Sequence, residues 1–136
     1  MHPRFEGARR VRAMAADGSV ELILAESHKL RLLGLTRLAA DDAEPLLFPR
    51  CRSIHMYWMR TPIDLAWVDL DLDARRLEIL ALVPGLGPRE RASAPTLDDF
   101  DVRKRVAALE LAPGQAEALG LAEGDRLDVR VVPDYR

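Results

Sequence analysis

The sequence predicts an α+β domain, mainly antiparallel β, folded as a small barrel or sandwich with two short helices. Apolar and polar residues alternate in several short segments, turn dipeptides separate these segments, and only two stretches have helical spacing. The chain has 136 residues, of which 49% are hydrophobic. This length suffices for one core and is short for two ordinary domains, so we expect a single domain over residues 1–136.

The first predicted elements are a hairpin and a helix. Asp17-Gly18 tolerates the positive φ of a two-residue turn and lies between strand-like segments at 9–16 and 19–25. Ser27 can cap a helix over residues 27–38, although Gly34 weakens the helical signal. The second helix is expected at 114–119, where Pro113-Gly114 turns the chain and Gly120 ends the helix.

The remaining strands are predicted at 65–70, 77–83, 106–111 and 127–131. The strand that begins at residue 51 and the strands at 65–70 and 77–83, of which the last two are joined by the turn at 71–75, make the middle of the chain an antiparallel meander of three strands. Within its third strand, one face is expected to carry Leu77, Ile79, Ala81 and Val83. Residues 84–101 are rich in proline and glycine without a sustained period, so they are predicted to form a long loop and a candidate lid.

The segment 46–69 concentrates the residue types that carry chemistry. It contains the only cysteine, both tryptophans and one of three histidines. A period of two predicts a core-facing set of Ile54, Met56 and Trp58, and an opposite polar set of Cys51, Ser53, His55 and Tyr57. Trp67 and Val68 point to opposite sides of one strand, so at least one is expected to face away from the core. An exposed Trp67 would mark a binding surface.

The candidate ligand-binding residues are Ser53, His55, Tyr57, Arg60 and Asp64. The first three lie two residues apart and can jointly line a shallow groove, or they can form the polar outer face of a half-solvated strand. Asp64 follows a proline bend, and its carboxylate can accept the backbone N–H groups that the bend frees. Alternatively, Asp64 pairs with Arg60 at the edge of a pocket.

Cysteine and metal chemistry receive little support from the spacing. Cys51 and His55 would lie about 13 Å apart on an ideal strand, too far for a thiol and its base. Zinc requires four ligands, and His2 and His28 have no metal-like spacing. We therefore expect no metal, no cofactor and no disulfide.

The charge balance argues against a dedicated nucleic-acid binder. Lysine and arginine number 20 against 22 acidic residues, a formal net charge of −2. Arg103-Lys104-Arg105 and the N-terminal arginines could still contact phosphates. The start of the chain has no secretory pattern, and no segment reaches the about 18 apolar residues of a membrane span. We expect a soluble cytoplasmic protein without a membrane partner.

Two blocks of the chain form a recognisable pair of motifs. The first block is Met59-Arg60-Thr61-Pro62-Ile63-Asp64 with the apolar strand that ends at Asp69, and the second is Leu109-Glu110-Leu111-Ala112-Pro113-Gly114-Gln115-Ala116. Together these blocks resemble the domain of unknown function 192, a family of small prokaryotic proteins. The chain departs from the family pattern at Cys51-Arg52-Ser53-Ile54-His55, where an aromatic stretch is more usual. The resemblance implies a mainly β fold with short helices and gives no catalytic residue.

The sequence favours a noncatalytic accessory module that binds an unknown small ligand or protein through the strand and bend at 51–64. The alternative is a small hydrolase or transferase that uses His55 and Asp64 as acid and base. A third class, a DNA-binding barrel, is indicated only by the helix-turn-strand element around 119–125 and disagrees with the net charge. Whether the chain is an enzyme stays open at this level.

Overall fold

The computed structural model describes residues 2–133. The strands within this part of the chain are β1 (Arg10–Ala15), β2 (Gly18–Leu24), β3 (Leu46–Phe48), β4 (Ser53–His55), β5 (Ile63–Asp71), β6 (Arg76–Leu86), β7 (Arg91–Ser93), β8 (Val106–Leu111) and β9 (Arg126–Val131). The helices are α1 (His28–Leu33), α2 (Phe100–Arg105) and α3 (Gln115–Ala118). Two 3₁₀ turns lie at Pro3–Phe5 and Ala40–Asp42.

Seven of these strands form a closed barrel in the order β1-β2-β3-β8-β5-β6-β9, and β1 pairs with β9 to close it. The neighbours are antiparallel except for β2 and β3, which are parallel. The short strands β4 and β7 form a separate antiparallel pair. The predicted fold class, an α+β domain built mainly of antiparallel strands, is confirmed and takes the form of a small barrel.

The barrel has apolar side chains on both of its faces. In β8, Ala107, Leu109 and Leu111 belong to the cluster inside the barrel, whereas Val106 and Ala108 belong to a second cluster on the outer face. The outer cluster is covered by α1, the turn after it and the β4 segment, which contribute Leu30, Leu35, Leu38 and Met56. A strand between two apolar layers is buried on both sides.

This two-sided cover corrects the expectation for Trp67 and Val68. Val68 points into the barrel and Trp67 into the outer cluster, and both are buried, so Trp67 cannot provide an exposed binding surface. The indole nitrogen of Trp67 has no hydrogen-bond acceptor among the described residues.

A β-bulge corrects the predicted face of β6. Trp67 pairs with Ala81 and Val68 pairs with Ile79, so one residue of β6 is left over between them. Ile79 therefore belongs to the inner cluster while Ala81 packs against the outer one. An extra residue shifts the alternation by one position, which a strict period of two cannot anticipate.

Two segment boundaries also differ from the prediction. The helix that Ser27 caps, by accepting from the Leu30 N–H at 3.1 Å, ends at Leu33 because Gly34 leaves helical geometry with φ 49° and ψ −125°. Residues 84–101 do not form one long loop: β6 continues to Leu86, β7 lies within the segment, and α2 begins at its end. β7 pairs with β4, so β4 does not join β5 in the expected meander.

Candidate functional site

A groove of about 800 Å³ lies on the outer side of the barrel. We call it the α1–β4 groove, and its walls are residues 31–37 on one side and residues 50–59 without Met56 on the other. Arg4, Phe48 and Glu110 complete its lining. Its size lies within the range of small-molecule sites, about 300–1,000 Å³.

Backbone hydrogen bonds fix the β4 wall of the groove. The Cys51 N–H donates to the Val106 carbonyl at 3.0 Å, and the Met56 N–H donates to the Glu90 carbonyl at 2.8 Å. The Met56 side chain is buried in the outer cluster. The Arg37 N–H donates to the Trp58 carbonyl at 2.9 Å and so links the two walls.

Three of the predicted ligand-binding residues lie together in this groove. Ser53, His55 and Tyr57 all line it and are exposed. The rings of His55 and Tyr57 lie 5.4 Å apart between centroids, with an angle of 50° between their planes. The Tyr57 hydroxyl accepts a hydrogen bond from the Arg91 guanidinium at 3.2 Å, so one aromatic side chain is oriented by β7. Arg60 is exposed and is not part of the lining.

Asp64 is a structural acceptor in this geometry. It is buried, and its Oδ1 accepts from the Gly85 N–H at 3.0 Å. Its Oδ2 accepts from Gly114 at 2.9 Å and from Ala116 at 3.3 Å. Backbone donors do bind this carboxylate, but they come from β6 and the start of α3 rather than from the proline bend. Asp64 does not line the groove, and among the described residues it forms no ion pair with Arg60.

Trp58 is exposed, so its predicted place in the core is wrong. Its side chain is 68% accessible, and its backbone has a φ of 67° in the left-handed region. The strand ends at His55, and the turn that follows breaks the period of two on which the prediction depended. The Arg37 guanidinium lies 5.0 Å from the centre of the Trp58 ring, a cation–π contact at the groove wall.

The arginines of the groove have two kinds of surroundings. Arg4 donates to the carbonyls of Gly34 and Thr36 at 3.0 and 2.8 Å. Arg31 donates to the Pro49 carbonyl at 2.6 Å, and these contacts hold the two walls in place. Arg50 and Arg52 are exposed and have neither an ion pair nor a side-chain hydrogen bond within residues 2–133. Their guanidinium groups are therefore available to an anion.

Glu110 is the residue that sequence reasoning missed. It lies on the outward face of β8, its Cα neighbours across the ladder are Leu46 and Leu65, and it is only 5% exposed. Burial raises its pKa from an ordinary 4.5 to about 7. Its carboxyl lines the groove, yet it has no hydrogen-bond donor or cation as a partner within the described residues. In the sequence, its alternation with Leu109 and Leu111 is typical of a solvent-facing position, which concealed it.

Cys51 lies in the same groove and does not have the surroundings of an activated thiol. Burial raises the pKa of its thiol above the ordinary 9.0, against smaller opposing effects of a backbone hydrogen bond with Ser53 and of the Arg31 charge, and the charge of Glu110 adds the smallest further rise. Its thiol donates to the Ser53 carbonyl at 3.4 Å. A thiolate, the reactive form, is therefore disfavoured.

The described residues contain no cluster of three or more His, Cys, Asp and Glu side chains that could hold a metal ion. None of the helices between residues 2 and 133 is long and apolar enough to cross a membrane.

A closed barrel that is covered on its outer side by a second apolar layer, with a groove between α1 and β4 in that outer side, defines the class: a small β-barrel domain with short helices. The chain belongs to the family DUF192, described as "Uncharacterized ACR", which it matches over residues 11–129. The suspected family is thereby confirmed. Its fold resembles the crystal structure, at 1.22 Å resolution, of a protein of unknown function from Novosphingobium aromaticivorans DSM 12444. The TM-score is 0.62 and the identity 21%, with 96% of this chain and 97% of the other covered. A comparison with curated proteins finds no match.

Proposed function

We propose that this protein is a noncatalytic binding module that holds a small anionic ligand in the α1–β4 groove. The observation that carries the proposal is the pair Arg50 and Arg52, two arginines of the groove lining whose guanidinium groups have no partner in the described chain. A guanidinium binds carboxylate and phosphate groups with two parallel hydrogen bonds, which gives both affinity and orientation.

Aromatic surface beside these arginines supports the same proposal. Tyr57 and Trp58 are exposed large apolar side chains that line the groove, and Leu32 lies exposed on the opposite wall. A concave site that combines apolar surface with a few convergent polar groups is the usual form of a small-molecule site. The ligand that fits is an anion with an apolar part.

The hydrolase or transferase alternative receives less support. It requires His55 and Asp64 to act on the same substrate as acid and base. Asp64 already accepts three backbone hydrogen bonds and lies outside the groove lining to which His55 belongs. The carboxylate is therefore not available as the partner of a general base.

Thermal shift and calorimetry with a panel of anions test this proposal. The panel contains inorganic phosphate, dicarboxylates, sugar phosphates, nucleoside monophosphates, amino acids and short peptides. A bound ligand raises the melting temperature by mass action. Arg52→Gln should weaken binding about tenfold or more by removing a charge-assisted contact. The matched control is Arg130→Gln, an exposed arginine on β9 outside the groove, which should bind as the parent does.

Two results would contradict the proposal. The first is a panel in which no compound shifts the melting temperature. The second is a ligand whose affinity is the same for the Arg52 and Arg130 variants, because its site would then lie elsewhere.

The proposed location is the cytoplasm of a prokaryotic cell, and fractionation of cells that express the full chain tests it.

A further inference from the structure

Glu110 differs from the other buried carboxyls of the described chain. These are Asp64 and Asp69. Asp64 accepts three backbone hydrogen bonds, and Asp69 binds the Arg105 guanidinium through both of its oxygens, at 2.7 and 3.0 Å. Glu110 has no such partner within residues 2–133, although it is as deeply buried as they are.

The surroundings of Glu110 offer no compensation for its charge. Its ladder neighbours Leu46 and Leu65 are apolar members of the outer cluster. The Cys51 thiol lines the same groove, and the Glu110 charge raises the pKa of this thiol, so the thiol provides no compensating positive charge. A buried carboxyl without partners is costly, and such groups in a concave site are typical of ligand contacts.

The groove contains opposite charges at two different depths. The carboxyl lies at the buried floor, while Arg50 and Arg52 lie exposed on the wall. A ligand that carries only acid groups would satisfy the arginines and leave the carboxyl without a donor. An ammonium group supplies three donors and a compensating charge at once.

We propose that the α1–β4 groove takes a small zwitterion, whose ammonium group binds Glu110 at the floor and whose acid group binds Arg50 or Arg52. This inference rests on the proposed function, because it concerns the same groove, and it adds the requirement for the ammonium group. The apolar part of the ligand packs against Leu32, Tyr57 and Trp58. Free amino acids and short peptides with a free amino terminus share this chemistry.

Isothermal titration at about pH 7.5 with paired probes tests the requirement, since an α-amino group is still substantially protonated there. The probes are phenylalanine and the tripeptide leucyl-phenylalanyl-aspartate, each with and without an N-acetyl group. We expect at least one free probe to bind and its acetylated form to bind about tenfold or more weakly, because acetylation removes the charge that Glu110 meets. Binding of phenylalanine indicates an amino acid as ligand, and binding of the tripeptide alone indicates a peptide.

Glu110→Gln should lower the affinity for the free probe to that of the acetylated probe. Glu117→Gln, an exposed glutamate of α3 outside the groove, is the matched control and should keep the preference for the free amino group. The acetylated probes test the inference on the unaltered protein, so the result does not depend on how well a variant folds.

The possible failures are distinguishable. Equal binding of free and acetylated probes, or binding of phosphates or dicarboxylates without any free probe, overturns the zwitterion and leaves the anion-binding groove in place. If Glu110→Gln prefers the free probe over the acetylated probe as strongly as the parent does, the proposed role of this carboxyl is overturned. Absence of binding by all probes and by the whole anion panel overturns both proposals.

Discussion

Replacing Glu110 by glutamine should change how the stability of this protein depends on pH. Burial raises the pKa of the Glu110 carboxyl from 4.5 to about 7, so the folded state holds this proton more tightly than the unfolded chain does. The stabilising contribution of the bound proton is fully present below about pH 4.5 and is lost as the pH rises through about 7. Above that pH, the protein contains a buried carboxylate without a partner.

The size of the effect follows from the two pKa values. At about 1.4 kcal/mol for each pKa unit, their separation corresponds to about 3.5 kcal/mol of unfolding free energy. This is a large fraction of the about 5–15 kcal/mol by which native domains are stable. Glutamine has nearly the same shape and no ionised form, so Glu110→Gln should be about 2.5 kcal/mol more stable relative to the parent at about pH 8 than at about pH 5, where the unfolded carboxyl is already mostly ionised.

Urea unfolding of the parent and of Glu110→Gln at both pH values measures this difference. Groups that titrate elsewhere contribute equally to both proteins and cancel in the comparison. Glu117→Gln serves as the control, because this glutamate is exposed on α3. Stability curves for the parent and Glu110→Gln that run parallel between the two pH values, within about 1 kcal/mol, would refute the reasoning, since they would mean that Glu110 is not buried without a partner.

Three further predictions concern the residues that the sequence singled out. Asp64→Ala should lower the unfolding free energy by about 3 kcal/mol because it strands three backbone donors, and Asp64→Asn should also destabilise because its NH₂ group faces one set of these donors; unchanged urea midpoints would contradict this. The unfolding free energy of Trp58→Gly should stay within about 1 kcal/mol of the parent, since the Trp58 side chain is exposed and glycine suits a φ of 67°. Trp67→Ala should lower the unfolding free energy by about 3–5 kcal/mol because it removes a buried side chain. Equal losses of stability in the two variants would contradict the described positions of the two tryptophans. The Cys51 thiol should react slowly with an alkylating reagent at neutral pH because burial raises its pKa, and rapid modification of the folded protein would be the contrary result.

The hairpin of β1 and β2, and the region from β8 to β9, could be predicted from the sequence because their signals are local. A turn dipeptide fixes where a strand ends, and alternation fixes its two faces. The predicted strand at 106–111 coincides with Val106–Leu111, and the predicted helix at 114–119 contains Gln115–Ala118. These elements depend on the residues within them and little on what covers them.

The candidate site could be predicted only in part, because its form depends on which segments, distant in the sequence, pack over each face of its strands. Alternation shows which side chains share a face but not whether the second face meets solvent or another layer. For this reason Trp67 is buried on the outer face, and Trp58, beyond the end of its strand, is exposed. The pairing of β4 with β7 joins segments about forty residues apart in the chain, and no local pattern indicates it.

Glu110 connects the stability of the barrel to its proposed role. The neighbouring outward positions of β8, Val106 and Ala108, are apolar and fill the outer cluster, so an apolar residue at position 110 would complete the same layer. A glutamate there destabilises the folded state above neutral pH and, unlike Asp64, tethers no other element of the described fold. Stability alone therefore gives no reason for a carboxyl at this position. A ligand that brings a donor and a positive charge into the groove gives such a reason, because its binding removes the unfavourable free energy of the unpaired Glu110 carboxylate.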